Sequence, residues 1–211
     1  VHADHGVHLR FEDSVAGFEG SSRVETVVTQ KGERIPCDLA VLGVGVEPVL
    51  DIVEGTGIAV DNGILVDERC RTNVEGVFAA GDIANHYHPI FDRRMRVEHW
   101  QNAIRHGTHA AKSMLGSEEP YEEVHWFWSD QHDANIQYAG HHREWDSLVI
   151  RGSIAERSFV AFYVKDGLVD AAASLNRGRE LRRSTGIIKA RKPVDEAVLC
   201  DESVDLKTVG A

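Results

Sequence analysis

Between Trp126 and Leu175 the chain carries five short apolar segments, WFWSD, NIQYAG, SLVIRG, SFVAFYV and LVDAAASL, closely spaced and joined by turns such as KDG. Connections this short suit hairpins, so the segments predict a small antiparallel sheet. That sheet constrains the fold most, because it occupies much of the second half of the chain. The stretch GSEEPYEE, residues 116–123, separates it from everything upstream, and from Asn176 onward the pattern becomes helical.

Upstream the pattern changes once. From Val7 to Val46 it is strand-like: VHLRFE, SVAGFEG, RVETVVT, a KGER turn, and LAVLGVG, an apolar run that reads as a buried strand before Glu47-Pro48. Residues 49–97 predict a short helical piece, a NGILVD strand entered by an Asn-Gly turn, a VFAAGD strand and a polar loop. A long helix follows over Glu98 to Leu115, with Trp100, Ala103, Ile104, Gly107, Ala111 and Met114 along one face and Gly116 as its stop. The fold class is therefore mixed, α/β segments followed by an α+β sheet domain. The length, 211 residues with 42% hydrophobic content, suffices for a real core.

Composition excludes several functions. No apolar run approaches the ~18 residues of a membrane span and no signal peptide opens the chain, so a soluble cytoplasmic protein is expected. A net charge of -11 argues against general binding to nucleic acid or anionic membrane. Cys37, Cys70 and Cys200 are far apart and form no C-x-x-C pair, so redox work would need a cofactor.

One stretch points to a ligand. In TNVEGVFAAGDIAN, residues 72–85, the unalternating run Val77–Ala80 reads as a strand covered on both faces that ends at Gly81-Asp82. Ligands meet open α/β sheets at such strand ends, where Gly81 would admit close backbone approach and Asp82 would accept from a hydroxyl. A plain strand-to-loop turn would use the same two residues. Two other features carry the same ambiguity. The helix start Val97-Glu98-His99-Trp100 offers free N–H donors and a partial positive charge, and Trp126 and Trp128 share one strand face. Gly43 and Gly45 make a glycine turn without the G-x-G-x-x-G fingerprint. Among twelve histidines, His99, His106 and His109 fall along one flank of the long helix; with no Cys or carboxylate at ligand spacing, a solvent-facing stripe and no metal are expected.

The series IPCDLAVLGVGVEP, NGILVDERCRTNVEGVFAAGD, RVEHWQNA and WFWSDQ resembles the FAD-dependent pyridine-nucleotide oxidoreductases of the ferredoxin reductase and rubredoxin reductase group, and is also similar to apoptosis-inducing factor. The T-x-x-x-x-V-F-A-x-G-D pattern of residues 72–82 belongs to the wider flavin disulfide-reductase superfamily, whereas WFWSDQ is narrower. The resemblance implies three parts: residues 1–48 closing an NAD(P)H-binding domain, 49–116 returning to an FAD-binding domain, and 117–211 forming a C-terminal reductase domain. It implies that Gly81, Asp82 and Ile83 hold the ribityl side of FAD. Val97, Glu98, His99 and Trp100 would lie beside its ring system, Trp128 would cover the flavin, and Gly43 and Gly45 would touch the dinucleotide.

Two departures and one patch complete the reading. Neither dinucleotide fingerprint is present, so the chain is expected to be the C-terminal part of a longer flavoenzyme, inactive alone. NRGRELRRSTGIIKARK, residues 176–192, carries seven basic residues and one acid. A basic face including Arg177, Arg179, Arg182 and Arg183 would steer an acidic ferredoxin or rubredoxin. The competing expectation is a non-catalytic interaction or dimerisation module, for which a homodimer is the natural form.

Overall fold

The computed structural model describes residues 1–210. Contacts divide the chain into a unit of Val1–Glu47 and a unit from Pro48 onward. In the first, β1 (Val15–Glu19), β2 (Thr26–Thr29) and β3 (Arg34–Pro36) form an antiparallel meander. VHLRFE forms no strand, and LAVLGVG departs further from expectation. Residues 39–45 are irregular, with Leu39 78% and Val41 90% exposed. Apolar content alone does not make a strand, and no neighbouring strand pairs with this run among the described residues.

The second unit holds two sheets. β4 (Ile64–Val66) runs parallel to β5 (Ala84–His88), and β5 pairs antiparallel with β6 (Arg93–Arg96). Asn62 and Gly63, both at positive φ, make the turn into β4. The sheet β5–β6 stands where a polar loop was expected, because its inward positions are filled by Asn85, His86, His88 and Met95 rather than by aliphatic residues. VFAAGD is the converse case. Val77–Ala80 is extended but only half-buried, and just one bridge, Arg71 to Phe78, pairs it, so it is not the covered strand the sequence predicts.

The helix is α1, Trp100–Met114, capped by His99, so Val97 and Glu98 precede it. Gly116 takes the left-handed conformation just past its end (φ 93°), and the Ser117 N–H returns to the Lys112 carbonyl at 3.0 Å, which closes the helix as expected. Its faces are reversed, however. Asn102, His106, Ala110 and Ser113 point inward, while Trp100, Ile104 and Met114 are exposed. The histidine expectation fails with it: His106 is fully buried and His99 and His109 are half-buried, not a solvent-facing stripe.

The predicted sheet is present and antiparallel throughout: β7 (Trp126–Gln131), β8 (Ala134–Gly140), β9 (Ser147–Ser153), β10 (Ser158–Lys165) and β11 (Leu168–Leu175), in the order β7-β8-β11-β10-β9. One face packs on α2 (Gly178–Ala190) and α3 (Glu196–Cys200). Phe162, Val160, Leu181, Ile188, Leu199 and Leu206 form its core, each worth roughly 1.5–3 kcal/mol on full burial. No helix among the described residues is long and apolar enough to cross a membrane.

Candidate functional site

A cavity of about 940 Å3 opens between the residues leading into α1 and the β7–β8 hairpin. Arg96 to Gln101 form one wall, and Trp126, Phe127, Trp128 and Tyr138 form another. Strand alternation explains the second wall. Trp126 and Trp128 share a face with their rings stacked 5.1 Å apart, while Phe127 on the opposite face stacks on Tyr138 at 5.5 Å and meets His99 at 4.7 Å. Trp100 meets Trp128 edge-on at 6.1 Å. Trp128 and Trp100 are 43% and 68% exposed, so their ring faces are open for stacking.

The first wall ends in the N-terminus of α1. His99 makes no capping side-chain bond, and the first turn of α1 carries no acidic residue. The Glu98 carboxylate pairs with the Arg96 guanidinium, which also donates to the Asp82 carbonyl at 3.2 Å. Arg96 thus connects the Gly81–Ile83 turn to the entry of α1. Beneath, the Asn102 amide donates to the Val97 carbonyl at 3.2 Å, and the Tyr121 hydroxyl donates to the Asn102 amide oxygen at 3.0 Å.

Gly81–Ile83 is a single 3-10 turn. Gly81 is buried with φ 76°, and its N–H donates to His106 Nδ1 at 3.2 Å. Asp82 is exposed beside it, with Ile83 half-buried under β4. Gly43 and Gly45 lie in the N-terminal unit, in open surroundings where an added Cβ would meet nothing, with Gly45 at φ 90°.

The cavity floor is a set of imidazoles held neutral. Burial, with the Arg93 guanidinium next in effect, pushes His141 down to about 4; Arg93 Nη2 donates to His141 Nδ1 at 2.6 Å and to its carbonyl at 2.7 Å. Burial likewise lowers His99, against the opposing pull of Asp82 and Glu98. Tyr138, pushed up to about 12 by burial, stays protonated and bonds His142 Nδ1 at 2.7 Å. The arrangement holds no nucleophile beside a base. It offers aromatic planes, helix N–H donors and neutral rings, which suit a flat, partly anionic ring system rather than acid–base catalysis.

Arg96, Phe127, Tyr138 and His141 belong to this site although the sequence reading passed over them. Arg96 stands directly before Val97-Glu98, and its position was the one usable signal. In the basic stretch, Arg177 pairs with Glu180 and Glu202 and Arg183 with Asp205, whereas Arg179 and Arg182 are exposed.

Residues 1–107 match the pyridine nucleotide-disulphide oxidoreductase family and residues 126–210 the reductase C-terminal family; the chain belongs to the pyridine nucleotide-disulphide oxidoreductases. It is 34% identical over 212 residues to putidaredoxin reductase CamA of Pseudomonas putida, covering 99% of this chain and 50% of that one. Against the anthranilate 1,2-dioxygenase system ferredoxin--NAD(+) reductase component of Burkholderia cepacia the identity is 38% over 210 residues, covering 99% and 52%. Among solved structures, the ferredoxin reductase for the CYP199A2 system from Rhodopseudomonas palustris superposes with a TM-score of 0.91 at 36% identity, over 98% of this chain and 51% of that one. The covalent putidaredoxin reductase–putidaredoxin complex gives 0.90 at 35%, over 98% and 50%. The chain spans about half the length of the relatives it matches.

Proposed function

We propose that the chain is part of a flavoprotein reductase that passes electrons from NAD(P)H through FAD to a ferredoxin. The observation that carries this reading is the N-terminus of α1 opening on an aromatic cavity, in a chain whose relatives are named ferredoxin reductases. Bound FAD supplies hydride acceptance from the nicotinamide and release of electrons one at a time.

The chain's residues position and tune that group. The first N–H groups of α1, at Trp100 and after, favour negative charge on the adjoining ring edge, which favours the reduced cofactor. Val97, Glu98, His99 and Trp100 border the ring system, and Trp128 stacks on or beside it. Gly81 admits the polyol chain, whose hydroxyl Asp82 accepts, with Ile83 packed below; Gly43 and Gly45 serve the nicotinamide dinucleotide. Burial lowers the pKa of His99 and His141, so these two imidazoles add no positive charge to the floor. In this reading residues 1–48, 49–116 and 117–211 are the closing NAD(P)H segment, the returning FAD segment and the C-terminal reductase domain.

Arg179 and Arg182 face the ferredoxin, since Arg177 and Arg183 are committed to internal ion pairs. The test is steady-state electron transfer by the full-length gene product, first to ferricyanide and then to a ferredoxin, at two salt concentrations. R179E/R182E should raise KM for ferredoxin about tenfold or more at low salt while leaving ferricyanide turnover unchanged. An enzyme that retains no flavin and oxidises neither nicotinamide would refute the assignment.

A further inference from the structure

Behind the aromatic cavity lies a cluster of histidines that the proposed electron transfer does not use. His86 and His88 stand two residues apart on β5, so both point to the same face, and His125 approaches them from the residue before β7. His86 and His88 are fully buried and His125 is 2% exposed. Their ring centroids lie 4.9 Å (His88 to His125), 5.5 Å (His86 to His125) and 5.6 Å (His86 to His88) apart.

Both ring nitrogens of His86, both of His125 and Nδ1 of His88 are buried without a hydrogen-bond partner. Burying even one such group unsatisfied costs about 1–3 kcal/mol, and five in one place call for a common partner. One nitrogen from each ring can be chosen so that all three lie within 4.8 Å of one another.

We propose that His86, His88 and His125 bind a divalent transition-metal ion of the zinc type, with solvent in the fourth position. His88 Nε2 contacts the Glu123 carbonyl at 3.0 Å and so carries the proton, which leaves the Nδ1 lone pair directed at the cluster. A backbone carbonyl fixing the tautomer of a ligating imidazole is the usual supporting arrangement. Shifts of the three rings bring their nitrogens to the ~2.0–2.1 Å that zinc requires. The donor set, all imidazole, suits zinc, copper, cobalt or nickel and not magnesium or calcium. A solvent hydroxide as fourth ligand would halve the buried charge, which matters where no carboxylate belongs to the trio.

His106 is excluded by the same logic. It lies 4.7 Å from His86, but its Nδ1 accepts from the Gly81 N–H, so Nε2 carries the proton and offers no lone pair. An entry route exists, since His125 also lines the 940 Å3 cavity and a second cavity of about 450 Å3 beside α1. The ion would join β5, inside the stretch 1–107 that matches the first family, to the residue directly before the stretch 126–210 that matches the second.

The experiment uses the full-length protein stripped by chelator, in a background where His2, His5 and His8 are replaced by Gln to keep the histidines of the first unit out of the count. Zinc titrated by calorimetry should bind once per chain, and cobalt should give the strong visible bands of a tetrahedral site. H86Q and H125Q should each weaken binding roughly 100-fold or more, and H106Q should leave it in place. Where a variant does not fold, ring-nitrogen NMR of the parent protein decides: zinc should shift His86, His88 and His125 and leave His106 bound to Gly81. Absence of a stoichiometric zinc site, retention of its affinity in folded H86Q or H125Q, or shifts confined to other histidines would overturn the proposal. None of these readouts depends on flavin or reductase activity.

Discussion

Arg151 closes the C-terminal sheet onto the segment after α3, and its removal gives the sharpest stability prediction. The side chain rises from β9 and is 2% exposed. Nη1 donates to the carbonyls of Leu199 (3.3 Å) and Asp201 (2.6 Å), Nη2 to those of Glu202 (3.3 Å) and Val204 (2.9 Å), and Nε to Glu180 (3.4 Å). Counting only the two bonds to Asp201 and Val204, at about 1.5–3 kcal/mol for each charged donor, gives roughly 3–6 kcal/mol. Glu180 keeps Arg177 as a partner in the variant, so no carboxylate is stranded and the lower half of that range applies. R151M, which retains the aliphatic stem, should lose about 3–4 kcal/mol. With a urea slope near ~2 kcal/mol/M the midpoint falls by roughly 1.5–2 M. Fluorescence of Trp126, Trp128 and Trp145, in or beside this sheet, reports the transition. R151K should recover less than half the loss, because one ammonium cannot span carbonyls fixed by a planar fork. A shift for R151M below roughly 0.3 M, or full recovery by lysine, would mean that water satisfies these carbonyls and the clamp contributes nothing.

Three further outcomes follow from the site and its frame. W128A should weaken flavin retention by the full-length protein about two- to tenfold, the value of one aromatic stacking contact, with little change in melting temperature because the ring is half-exposed; an unchanged flavin affinity would remove Trp128 from the site. Gly140 has φ 87° and a Cβ there would lie 2.3 Å from the Asp170 carbonyl, whereas Gly167 at φ 75° has nothing within 4 Å. G140A should therefore cost at least about 3 kcal/mol in urea unfolding and G167A only about 1 kcal/mol, and equal losses would show that the backbone conformation, not the contact, matters. His141 has a folded pKa of about 4 against 6.5 unfolded, with Arg93, Arg143 and His142 facing it. A depressed histidine pKa stabilises the fold above the unfolded value and loses that contribution as pH falls through the folded one. H141N should thus flatten the pH dependence of stability between about 6.5 and 4 by about 1 kcal/mol after allowance for its partial exposure, and an unaltered acid limb would refute the role.

Hydrophobic pattern made the C-terminal sheet legible because each of its strands has neighbours close in sequence, so the ladder that burial requires is encoded nearby. The same pattern misled at Leu39–Gly45 and Val77–Ala80. An apolar run states that a segment favours burial, but a strand also needs a partner, and these runs find little or none among the described residues. β5 and β6 were illegible for the opposite reason. ANHYH and RRMR are polar strings, and nothing in their composition tells a solvated loop from a strand whose histidines are buried against other rings. On α1 the moment of the apolar residues pointed to Trp100, Ile104 and Met114, while tertiary packing selected Asn102 and His106.

These failures bear on the site in a particular way. Of the residues that the sequence singled out, Val97 to Trp100 and Trp128 line the aromatic cavity, whereas Gly81 and Asp82 are not part of its lining and are tied to the entry of α1 through Arg96. Of those it did not assign to a ligand, Arg96 is itself part of the wall, while Asn102, Tyr121, His86, His88 and His106 lie outside the lining. Arg96 pairs with the Glu98 carboxylate while donating to the Asp82 carbonyl. His106 accepts the Gly81 N–H and so fixes the turn that presents Asp82. The supporting set is scattered from residue 86 to 125 and becomes visible only once the chain is folded.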